Sequence, residues 1–335
     1  MRFRELFSMD LGTTNTVICS KKKGVILSEP SVIAITKDNN FVELGSKAKK
    51  MLGKTPDFVK VIRPLKDGVI TDYDATTMMI EHFLKEATKK NPTFLKPKVI
   101  AGIPIGATEV EKKALVSALK EGGAGEVFLI PEPMAVALSL DVETKESFGF
   151  MVVDIGGGTT EIAIMSLGSI VISKSLDVAG DEMDEAIVDY IKNNYSLSIG
   201  LETAERIKLA LSSINMNSRM IEKVVGIDIT TGLPKEQEIS LNDILEALNP
   251  IIKNIVTNVR FLIEQTPPEL ISEIYKNGII LSGGGSMLRT IDKTLNQEIG
   301  IKILRAPDPL NAVALGALKV FDDDELLKEL RVIET

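Results

Sequence analysis

Tryptophan is absent from this 335-residue chain, and aromatic residues make up only 4% of it. The hydrophobic cores must therefore be built from isoleucine, leucine, valine and methionine. No uncharged apolar run reaches the roughly 18 residues that a membrane-spanning helix needs. The N-terminal segment MRFRELFSM lacks the long apolar core and the small-residue cleavage site of a secretory signal peptide. These absences predict a cytoplasmic protein.

Cysteine and histidine each occur once, as Cys19 and His82. A single cysteine excludes a disulfide within the chain, and the predicted strand around Cys19 favours a buried, inert thiol. Because the two residues are far apart in sequence, there is no zinc-ligand spacing and no obvious Ser-His-Asp or Cys-His catalytic arrangement. We therefore interpret His82 as a structural residue of a helix, on its surface or in its core.

The net charge is −8, and no stretch of lysine and arginine is interleaved with aromatic residues. This composition disfavours nucleic-acid binding, which relies on a basic surface against the phosphate backbone. It also disfavours a general electrostatic attraction to anionic lipid, so any membrane contact must be local and hydrophobic. The length predicts two domains, each large enough to bury a core of its own.

A glycine-rich hairpin is predicted in the middle of the chain, over Met151–Ile164 (MVVDIGGGTTEIAI). Met151–Val153 is a short apolar run typical of a buried strand, and Asp154 follows at its end. Gly156–Gly158 then forms the turn into a second strand, Thr159–Ile164. The backbone N–H groups of such a turn are not screened by side chains and can surround a phosphate. An acidic residue beside the turn can hold Mg²⁺ through water.

The same unit occurs once before, near the start of the chain. Arg4–Met9 is a predicted strand that leads to Asp10, the turn Gly12-Thr13-Thr14-Asn15 follows, and Thr16–Ser20 runs back. A lone glycine turn is usually only a turn. Two hairpins 144 positions apart, each with an aspartate at the strand end and a threonine after the glycine, are more specific. They predict two similar half-molecules that face one nucleotide.

Two other phosphate-binding patterns are absent from the sequence. There is no G-x-x-x-x-G-K-[ST], which excludes a P-loop. Nor does a G-x-G-x-x-G open a helix after a strand, which argues against a dinucleotide-binding fold.

Local signals place several polar residues further along the chain. Thr108 and Glu111 form a capping box that opens a helix. Glu132 is predicted at a strand-to-helix corner, where the helix macrodipole favours the ionised carboxylate by about 0.3–1 kcal/mol. Glu205 and Lys208 are three residues apart and share a helix face, either as a solvent-exposed ion pair or as part of a binding site.

Three further predictions concern the last third of the chain. Asn249-Pro250 is predicted to cap a long helix with a wide apolar stripe. Gly283-Gly284-Gly285 follows a strand, and glycines there let a flat ring approach the backbone, so this turn is a candidate for binding adenosine. The segment after Asp322 is acidic and is predicted to be a frayed tail.

A series of motifs resembles the actin-like ATPase superfamily and, within it, the MreB family of bacterial actins. In order along nearly the whole chain they are DLGTTNT at 10–16, EPSVIAI at 29–35, GKTP at 53–56, IRPLKDGVITDY at 62–73, GIPIG at 102–106, EPMAVA at 132–137, VVDIGGGTTE at 152–161, AGDEMDEAIV at 179–188, TAERIK at 203–208, GIDITTGLP at 226–234, TPPEL at 266–270 and SGGGSMLR at 282–289.

The resemblance implies an α/β fold of the actin-like, ribonuclease H-like class. Such a protein has two domains with a nucleotide in the cleft between them, and each domain carries a small inserted subdomain. The expected boundaries are 1–32, 67–145 and 315–335 for domain IA, 33–66 for subdomain IB, 146–182 and 249–314 for domain IIA, and 183–248 for subdomain IIB.

The resemblance also implies site residues, with ATP and Mg²⁺ as ligands. Asp10 and Asp154 would orient Mg²⁺ through its waters. Glu132 and Thr159 would be the catalytic residues, with Glu132 polarising the attacking water. The nucleotide would be bound by Gly12, Thr13, Thr14, Asn15, Gly156, Gly157, Gly158, Thr159, Gly180, Glu205, Arg206, Ile207, Lys208, Gly283, Gly284, Gly285, Ser286 and Met287.

Two positions depart from the usual pattern of the family. Pro131 stands where the family usually has a second acidic residue, and Thr14 stands where it usually has alanine. Removal of a negative neighbour should make Glu132 easier to ionise. The alternatives to an active ATPase are a filament scaffold that binds ATP with little turnover, and another ATPase of the superfamily, of the small-molecule kinase or chaperone type.

The implied function is that of an ATP-hydrolysing cytoskeletal protein, which polymerises into membrane-associated filaments and determines cell shape. Its partners would be further copies of the chain in paired protofilaments, the lipid at the inner face of the cell membrane, and proteins of cell-wall or membrane morphogenesis. The loop Lys90–Lys96 carries Phe94 and Leu95 between basic residues. These two side chains either cap the edge of a core or insert into the bilayer.

Overall fold

The computed structural model describes residues 4–89, 95–140, 149–212 and 221–330. The strands are β1 (Leu6–Leu11), β2 (Asn15–Ser20), β3 (Gly24–Pro30), β4 (Ile33–Thr36), β5 (Phe41–Leu44), β6 (Val59–Ile62), β7 (Leu65–Lys66), β8 (Val69–Ile70), β9 (Lys98–Ile103), β10 (Glu126–Pro131), β11 (Phe150–Ile155), β12 (Thr160–Ser166), β13 (Ser169–Leu176), β14 (Leu197–Ser198), β15 (Ile221–Asp228), β16 (Pro234–Ser240), β17 (Ile279–Ser282) and β18 (Ile303–Arg305).

The α-helices are α1 (Gly45–Lys49), α2 (Tyr73–Lys89), α3 (Glu109–Glu121), α4 (Glu132–Ser139), α5 (Gly180–Tyr195), α6 (Leu201–Ser212), α7 (Leu241–Glu264), α8 (Pro268–Asn277), α9 (Arg289–Ile299), α10 (Ala312–Lys319) and α11 (Asp324–Glu329). Short 3₁₀ helices lie at Gly284–Met287 and Val320–Asp322. The capping box predicted for α3 is confirmed, because Thr108 and Glu111 bond to each other's backbone N–H groups.

Two five-stranded sheets of the same topology form the centre of the fold. The first has the strand order β10-β9-β1-β2-β3, and the second, read from its other end, has the order β18-β17-β11-β12-β13. In each sheet an antiparallel meander of three strands is extended by two later strands that run parallel to the meander's first strand. The prediction of two similar half-molecules is therefore confirmed.

Successive side chains of a strand point to opposite faces of the sheet, and both faces of each central sheet are buried. The odd-numbered residues of β11, from Met151 to Ile155, pack into the core of the second half with α5 and α7. Phe150 and Val152 instead face the core that lies between the two halves. Asp154 continues this second row at the end of the strand. The same alternation that builds the central core therefore aims a carboxylate toward the opposite half.

Helices α4 and α10 occupy the space between the two sheets. Helix α4 packs on β11 and β12, while α10 packs on β1, β2 and β9. The two helices approach closely, since a Cβ atom added at Gly316 would overlap the carbonyl oxygen of Ala135. Alanines from both helices, including Ala137, Ala312 and Ala317, line the same contact. This small-residue packing holds the halves together and fixes the position of Glu132, the first residue of α4.

Two three-stranded sheets lie outside this frame. The sheet β5-β4-β6, with α1, falls within the predicted insertion 33–66. The sheet β14-β15-β16, with α6, falls within the predicted insertion 183–248. The residue-level domain boundaries stay predictions.

The predicted start of the long helix at Asn249-Pro250 is wrong. Helix α7 begins at Leu241, capped by a reciprocal pair of bonds between Ser240 and Asp243, and Pro250 lies inside it. An interior proline costs a helix about 3 kcal/mol or more. The turns before Pro250 bury Ile244, Ala247 and Leu248 in the core, which offsets this cost. The apolar stripe therefore continues through the proline.

The prediction that the segment after Asp322 is a frayed tail is also wrong, for residues 323–330. Helix α11 follows, and the carboxylate of Asp323 caps it by accepting from the N–H groups of Glu325 and Leu326, each at 3.1 Å. Leu326, Leu327 and Leu330 pack against the core between the halves. Asp324 and Glu325 lie in the first turn of this helix, where the macrodipole favours negative charge.

The predictions for Cys19 and His82, the single cysteine and the single histidine of the chain, are confirmed. Cys19 is fully buried in β2, and burial raises the pKa of its thiol to about 12. His82 lies on α2, where its ring stacks on Phe41 with 3.9 Å between the centroids, and Nδ1 lies 2.9 Å from the carbonyl oxygen of Met78. Among the described helices, none combines the length and the apolar character required to cross a bilayer.

Candidate functional site

The first glycine turn joins β1 to β2 and is held by the residue that follows β3. The hydroxyl of Ser31 donates to the carbonyl oxygen of Gly12 at 2.6 Å, and its backbone N–H donates to the carbonyl oxygen of Thr14 at 2.9 Å. Gly12 is required for this tight turn, because a Cβ atom there would lie 2.8 Å from the carbonyl oxygen of Asn15. The carbonyl groups of the turn are thus bound within the protein, while residues 12–15 line a cleft.

The second glycine turn joins β11 to β12 and is held by the start of α5. The N–H of Gly156 donates to the carbonyl oxygen of Thr159 at 2.9 Å, which closes the turn. The carbonyl oxygens of Gly156 and Gly157 accept from the N–H groups of Gly180 and Asp181 at 3.2 and 2.7 Å. The N-terminus of α5 therefore lies directly against the turn, where the helix dipole favours an anion.

The two turns touch each other. A Cβ atom at Gly157 would overlap the side chain of Thr14, and one at Gly158 would lie 2.7 Å from Oγ1 of Thr13. Glycine is required at both positions because no side chain fits between the turns. Thr13 Oγ1 also accepts from the N–H of Gly68 at 3.0 Å. The repeated hairpins of the two halves thus meet at one place, as the sequence predicted.

Three acidic side chains lie at the strand ends beside the turns. Burial, together with the charge of Asp154, raises the pKa of Asp10 to about 7. Burial likewise raises the pKa of Asp154 to about 7, although a hydrogen bond from Ser282 opposes the shift. The pKa of Glu132 is raised well above its usual value by burial and then by the charges of Asp10, Asp154 and Glu161.

The expectation from the helix dipole, which favours the ionised form of Glu132, is therefore wrong for the protein without ligands, whereas the effect of Pro131 relative to an acidic residue stays a prediction. Its predicted corner position is confirmed, since β10 ends at Pro131 and α4 begins at Glu132. The helix dipole there contributes only about 0.3–1 kcal/mol. Burial and three negative neighbours act in the opposite direction and outweigh it. These neighbours come from other strands, so the absence of an acid at position 131 does not leave Glu132 isolated.

The aspartate pair has the properties of a cation site. Oδ1 of Asp154 is buried and has no hydrogen-bond partner within the described ranges. A buried oxygen of this kind is costly unless a ligand satisfies it. No cluster of three or more metal-ligating His, Cys, Asp or Glu side chains occurs in that part of the chain. A cation here would therefore draw most of its ligands from water or from a bound anion.

Helices α5 and α6 supply the opposite wall of the cleft. Nζ of Lys208 donates to the carbonyl oxygen of Gly180 at 2.5 Å and to Asp184 at 2.8 Å. Burial raises the pKa of Asp184 to about 6, although the ion pair with Lys208 opposes this shift. Glu205 pairs with Lys49 at 2.6 Å. The solvent-exposed pair between Glu205 and Lys208 is therefore not formed, and each residue lines the cleft with a different partner.

The third glycine turn lies against the end of β11. Gly283 has a φ of +77°, and a Cβ atom there would overlap the carbonyl oxygen of Ile155. Its N–H donates to the carbonyl oxygen of Pro309 at 3.0 Å. A Cβ atom at Gly285 would overlap the side chain of Ile155. The turn therefore presents bare backbone, next to the second glycine turn, on one side of the cleft.

These elements enclose a cavity of about 450 Å³, which lies within the range of small-molecule sites. The residues predicted from the sequence that line it are Asp10, Gly12, Thr13, Thr14, Asn15, Glu132, Asp154, Gly156, Gly157, Gly158, Thr159, Gly180, Glu205, Lys208, Gly283, Gly284, Gly285 and Met287.

Three predicted residues lie outside this lining. Arg206 pairs with Glu222 at 3.0 Å on the outer side of α6. Ile207 is buried in the core of the second half. The hydroxyl of Ser286 donates to the carbonyl oxygen of Gly283 at 2.7 Å and holds the third turn from within.

The sequence did not predict two charged residues that line the cleft, Lys49 and Asp184. Asp184 lies four residues after Gly180, so helical spacing places both on one face of α5 and could have identified it. No local signal marks Lys49, because it reaches the cleft from α1 beside the small sheet of the first half. Arg63 is another basic residue of the first half that reaches the second half. Its guanidinium nitrogens lie 3.5 Å from carboxylate oxygens of Asp181 and Glu202.

The predicted membrane loop is described only in part. Phe94 lies outside the described residues, and the side chain of Leu95 is 45% exposed. The two interpretations of this loop, a core edge and a lipid contact, both stay predictions.

Comparisons with known proteins agree with the motifs. The family model described as MreB/Mbl protein matches residues 4–329. The cell shape-determining protein MreB of Escherichia coli (strain K12) is 43% identical in an alignment 331 positions long, which covers 96% of this chain and 95% of that protein.

Two solved structures extend the comparison to the fold. MreB5 of Spiroplasma citri bound to ADP has a TM-score of 0.91 and 35% identity, with 98% of this chain and 99% of that chain covered. The same protein bound to AMPPNP has a TM-score of 0.89 and 36% identity, with 98% of each chain covered. The actin-like fold is therefore confirmed, and the chain belongs to the MreB/Mbl family.

Proposed function

We propose that the cleft binds ATP. The observation that carries this proposal is the contact between two glycine turns, one from each half, with the N-terminus of α5 beside them. The β- and γ-phosphates would lie between Gly12–Asn15 and Gly156–Thr159, where backbone N–H groups and the helix dipole favour an anion. The adenosine would lie along Gly283–Met287 and Gly180. The related proteins that hold ADP and AMPPNP support this assignment.

Asp10 and Asp154 would hold Mg²⁺ through its water ligands. Two observations fit such an ion: the buried, unpartnered Oδ1 of Asp154 and the raised pKa values of both carboxyls. Mg²⁺ usually keeps several waters and uses one or two carboxylates together with phosphate oxygens. Its chemistry here is to neutralise charge on the phosphates.

Glu132 would orient and polarise the water that attacks the γ-phosphate, with Thr159 at the end of the second turn beside it. Phosphoryl transfer depends on positioning and charge neutralisation more than on a strong base. Burial and three negative neighbours raise the pKa of Glu132, and positive charge that enters the acidic cluster would lower it again. A bound cation would therefore favour the carboxylate form that polarises water.

On the larger scale, the protein would polymerise with ATP into paired protofilaments. It would lie at the inner face of the cell membrane and determine cell shape, as the name of its Escherichia coli relative indicates for that protein. Cell-wall or membrane morphogenesis proteins would be its partners. The domain boundaries given above would then separate two rigid halves, with their insertions beside the mouth of the cleft.

The test measures phosphate release and pelleting in the same reaction, with ATP and Mg²⁺ at micromolar protein. The expected result is nucleotide-dependent filaments together with slow phosphate release. Monomers in every nucleotide state would contradict the filament function. Filaments without phosphate release would identify the second candidate, a scaffold that binds ATP with little turnover. Electron microscopy with and without lipid would show whether the filaments are paired and bind membranes.

A further inference from the structure

Glu161 is a buried carboxylate that the functions above do not use. It lies on β12, directly opposite Asp154 across the hairpin, and only 1% of it is exposed. One carboxylate oxygen accepts from the backbone N–H of Ile105 at 2.9 Å. The other accepts from the hydroxyl of Ser175 at 2.5 Å. Both oxygens are thus bound, so the side chain has a single fixed orientation.

One of these bonds connects the halves of the molecule, and the other anchors the side chain within the second sheet. Ser175 belongs to β13 of the second sheet, whereas Ile105 belongs to the loop that follows β9 of the first sheet. The loop also touches Ser175 directly, since a Cβ atom at Gly106 would lie 3.3 Å from the Cβ of Ser175. The Glu161 side chain therefore joins the strand after the second glycine turn to the opposite half.

The connected loop begins beside Glu132. Strands β9 and β10 pair in parallel, with Ile103 opposite Pro131, so the loop after β9 starts next to the corner where α4 begins. One residue earlier, Gly102 packs on Glu132, because a Cβ atom there would lie 3.4 Å from the Cγ of Glu132. A shift of this loop relative to β12 would change the distance between Glu132 and the second glycine turn.

A buried carboxylate that joins two halves contributes little net stability, because burial disfavours its charged form. Burial raises the pKa of Glu161 despite its two hydrogen bonds, and its charge adds to the negative cluster around Glu132. Buried polar links of this kind specify one geometry more than they stabilise it. The geometry fixed here is that between the second glycine turn and the glutamate on the other half.

We propose that Glu161 is a positioning residue for hydrolysis, which holds Glu132 at the working distance from the phosphate bound by the second glycine turn. This role rests on the proposed ATPase activity. It acts through the length of the side chain, since the bond from Ile105 spans the space between the halves while the bond from Ser175 fixes the side chain within its own sheet. Misplacement of a catalytic group by about 1 Å can reduce a rate by about a hundredfold while substrate binding is retained.

The test compares three substitutions that separate length from charge. Glu161→Gln keeps the length, one acceptor for the N–H of Ile105 and a donor toward Ser175. Glu161→Asp keeps the charge and is one methylene shorter, and Glu161→Leu removes both bonds. We expect kcat for phosphate release to stay within about threefold of the parent in the Gln variant and to fall at least tenfold in the Asp and Leu variants. KM for ATP should stay within about threefold in all of them, because no contact to the nucleotide is removed.

Ser175→Ala is the matched control, since it removes one bond and leaves the bond from Ile105. It should reduce kcat less than Glu161→Leu does. Thermal unfolding confirms that each variant is folded, and the Gln variant keeps the test valid if the Leu variant is not. Unchanged kcat in the Asp or Leu variant would overturn the proposal, as would a Gln variant as slow as Leu. A parent protein that binds ATP without releasing phosphate would instead contradict the proposed ATPase activity, and the positioning role with it.

Discussion

The ammonium group of Lys49 lies 2.6 Å from the carboxylate of Glu205, although 156 positions separate the two residues. The pair joins α1 of the first half to α6 of the second across the mouth of the cleft. Their side chains are only 23% and 14% exposed, so water screens the attraction less than it would on the surface. Opening of the cleft must break this contact. We expect Lys49→Ala to accelerate the release of a fluorescent ADP analogue by about three- to tenfold.

Lys47→Ala is the control for this prediction, because Lys47 lies on the same helix but is 77% exposed and pairs with Glu43 of the first half, at 3.8 Å. It should leave the release rate unchanged. The effect of Lys49→Ala should persist at high salt better than a surface effect would. Equal release rates for the two variants would show that the ion pair does not restrain the cleft.

Glu132→Gln should retain ATP binding and polymerisation while phosphate release falls by about a hundredfold or more, the scale of a lost water-activating group. Glutamine has nearly the same shape and lacks the ionisable carboxylate, so the surrounding packing is kept. The measurement is phosphate release beside the binding of a fluorescent ATP analogue. Hydrolysis at the parent rate would exclude Glu132 as the catalytic residue.

Asp154 makes the stability of the nucleotide-free protein depend on pH. Its pKa is about 7 in the folded protein against 3.8 as the ordinary value, so the folded state binds more protons than the unfolded chain between these values. The contribution of Asp154 to the free energy of unfolding therefore decreases as the pH rises from about 4 to about 7. Asp154→Asn should become steadily more stable relative to the parent across this window. A constant difference in thermal midpoint would contradict the raised pKa.

The same variant should show the opposite effect on ligand binding. Asp154→Asn removes a charge from the proposed Mg²⁺ site, so it should weaken Mg²⁺-dependent nucleotide binding at pH 8 by at least tenfold. Binding by the parent should itself weaken as the pH falls below about 7, where Asp10 and Asp154 become protonated. Titrations with a fluorescent ATP analogue at pH 6, 7 and 8 would measure both effects.

Gly316 sets the distance between α4 and α10, since any Cβ atom there would overlap the carbonyl oxygen of Ala135. We expect Gly316→Val to destabilise the protein by about 1–3 kcal/mol or more, the usual cost of overpacking a core. Gly316→Ala should cost less, because a single methyl group requires a smaller displacement. Urea unfolding measures both. Parent stability in the valine variant would show that the helices separate freely.

The loop at Phe94 and Leu95 is predicted to insert into a bilayer when a filament presents many copies. Each apolar side chain contributes about 1.5–3 kcal/mol if it is fully transferred, so a monomer binds weakly and a filament binds strongly. Co-sedimentation with liposomes should decrease in a Phe94→Ser, Leu95→Ser double variant that still polymerises. Unchanged lipid binding would favour the core-edge interpretation of the loop.

The glycine turns and their aspartates could be predicted because every signal is local. A buried strand, an acidic residue at its end and two or more turn residues occur within about ten positions. Because this unit occurs twice, at Asp10 and at Asp154, it also predicted the symmetry of the fold. The pairing of Lys49 with Glu205 could not be predicted in this way. It depends on how closely the two halves approach, which no short stretch of sequence encodes.

The errors at Glu132 and Pro250 have a common physical cause. In both cases a real local effect, a helix dipole or a missing N–H group, was outweighed by burial that depends on distant residues. At Glu132 the opposing charges come from Asp10, Asp154 and Glu161 on three different strands. At Pro250 the compensation comes from the buried residues Ile244, Ala247 and Leu248, which precede the predicted start of the helix.

The burial of Cys19 has a practical consequence for labelling. Burial removes the Cys19 thiol from solvent and raises its pKa to about 12, so we expect little thiolate at neutral pH and slow reaction with maleimides. Because the chain has no other cysteine, a new one at an exposed position such as Val110, which is 77% exposed, would be modified alone. A single dye can therefore be attached without first replacing a core residue, which makes the native sequence itself the background for fluorescence measurements of assembly.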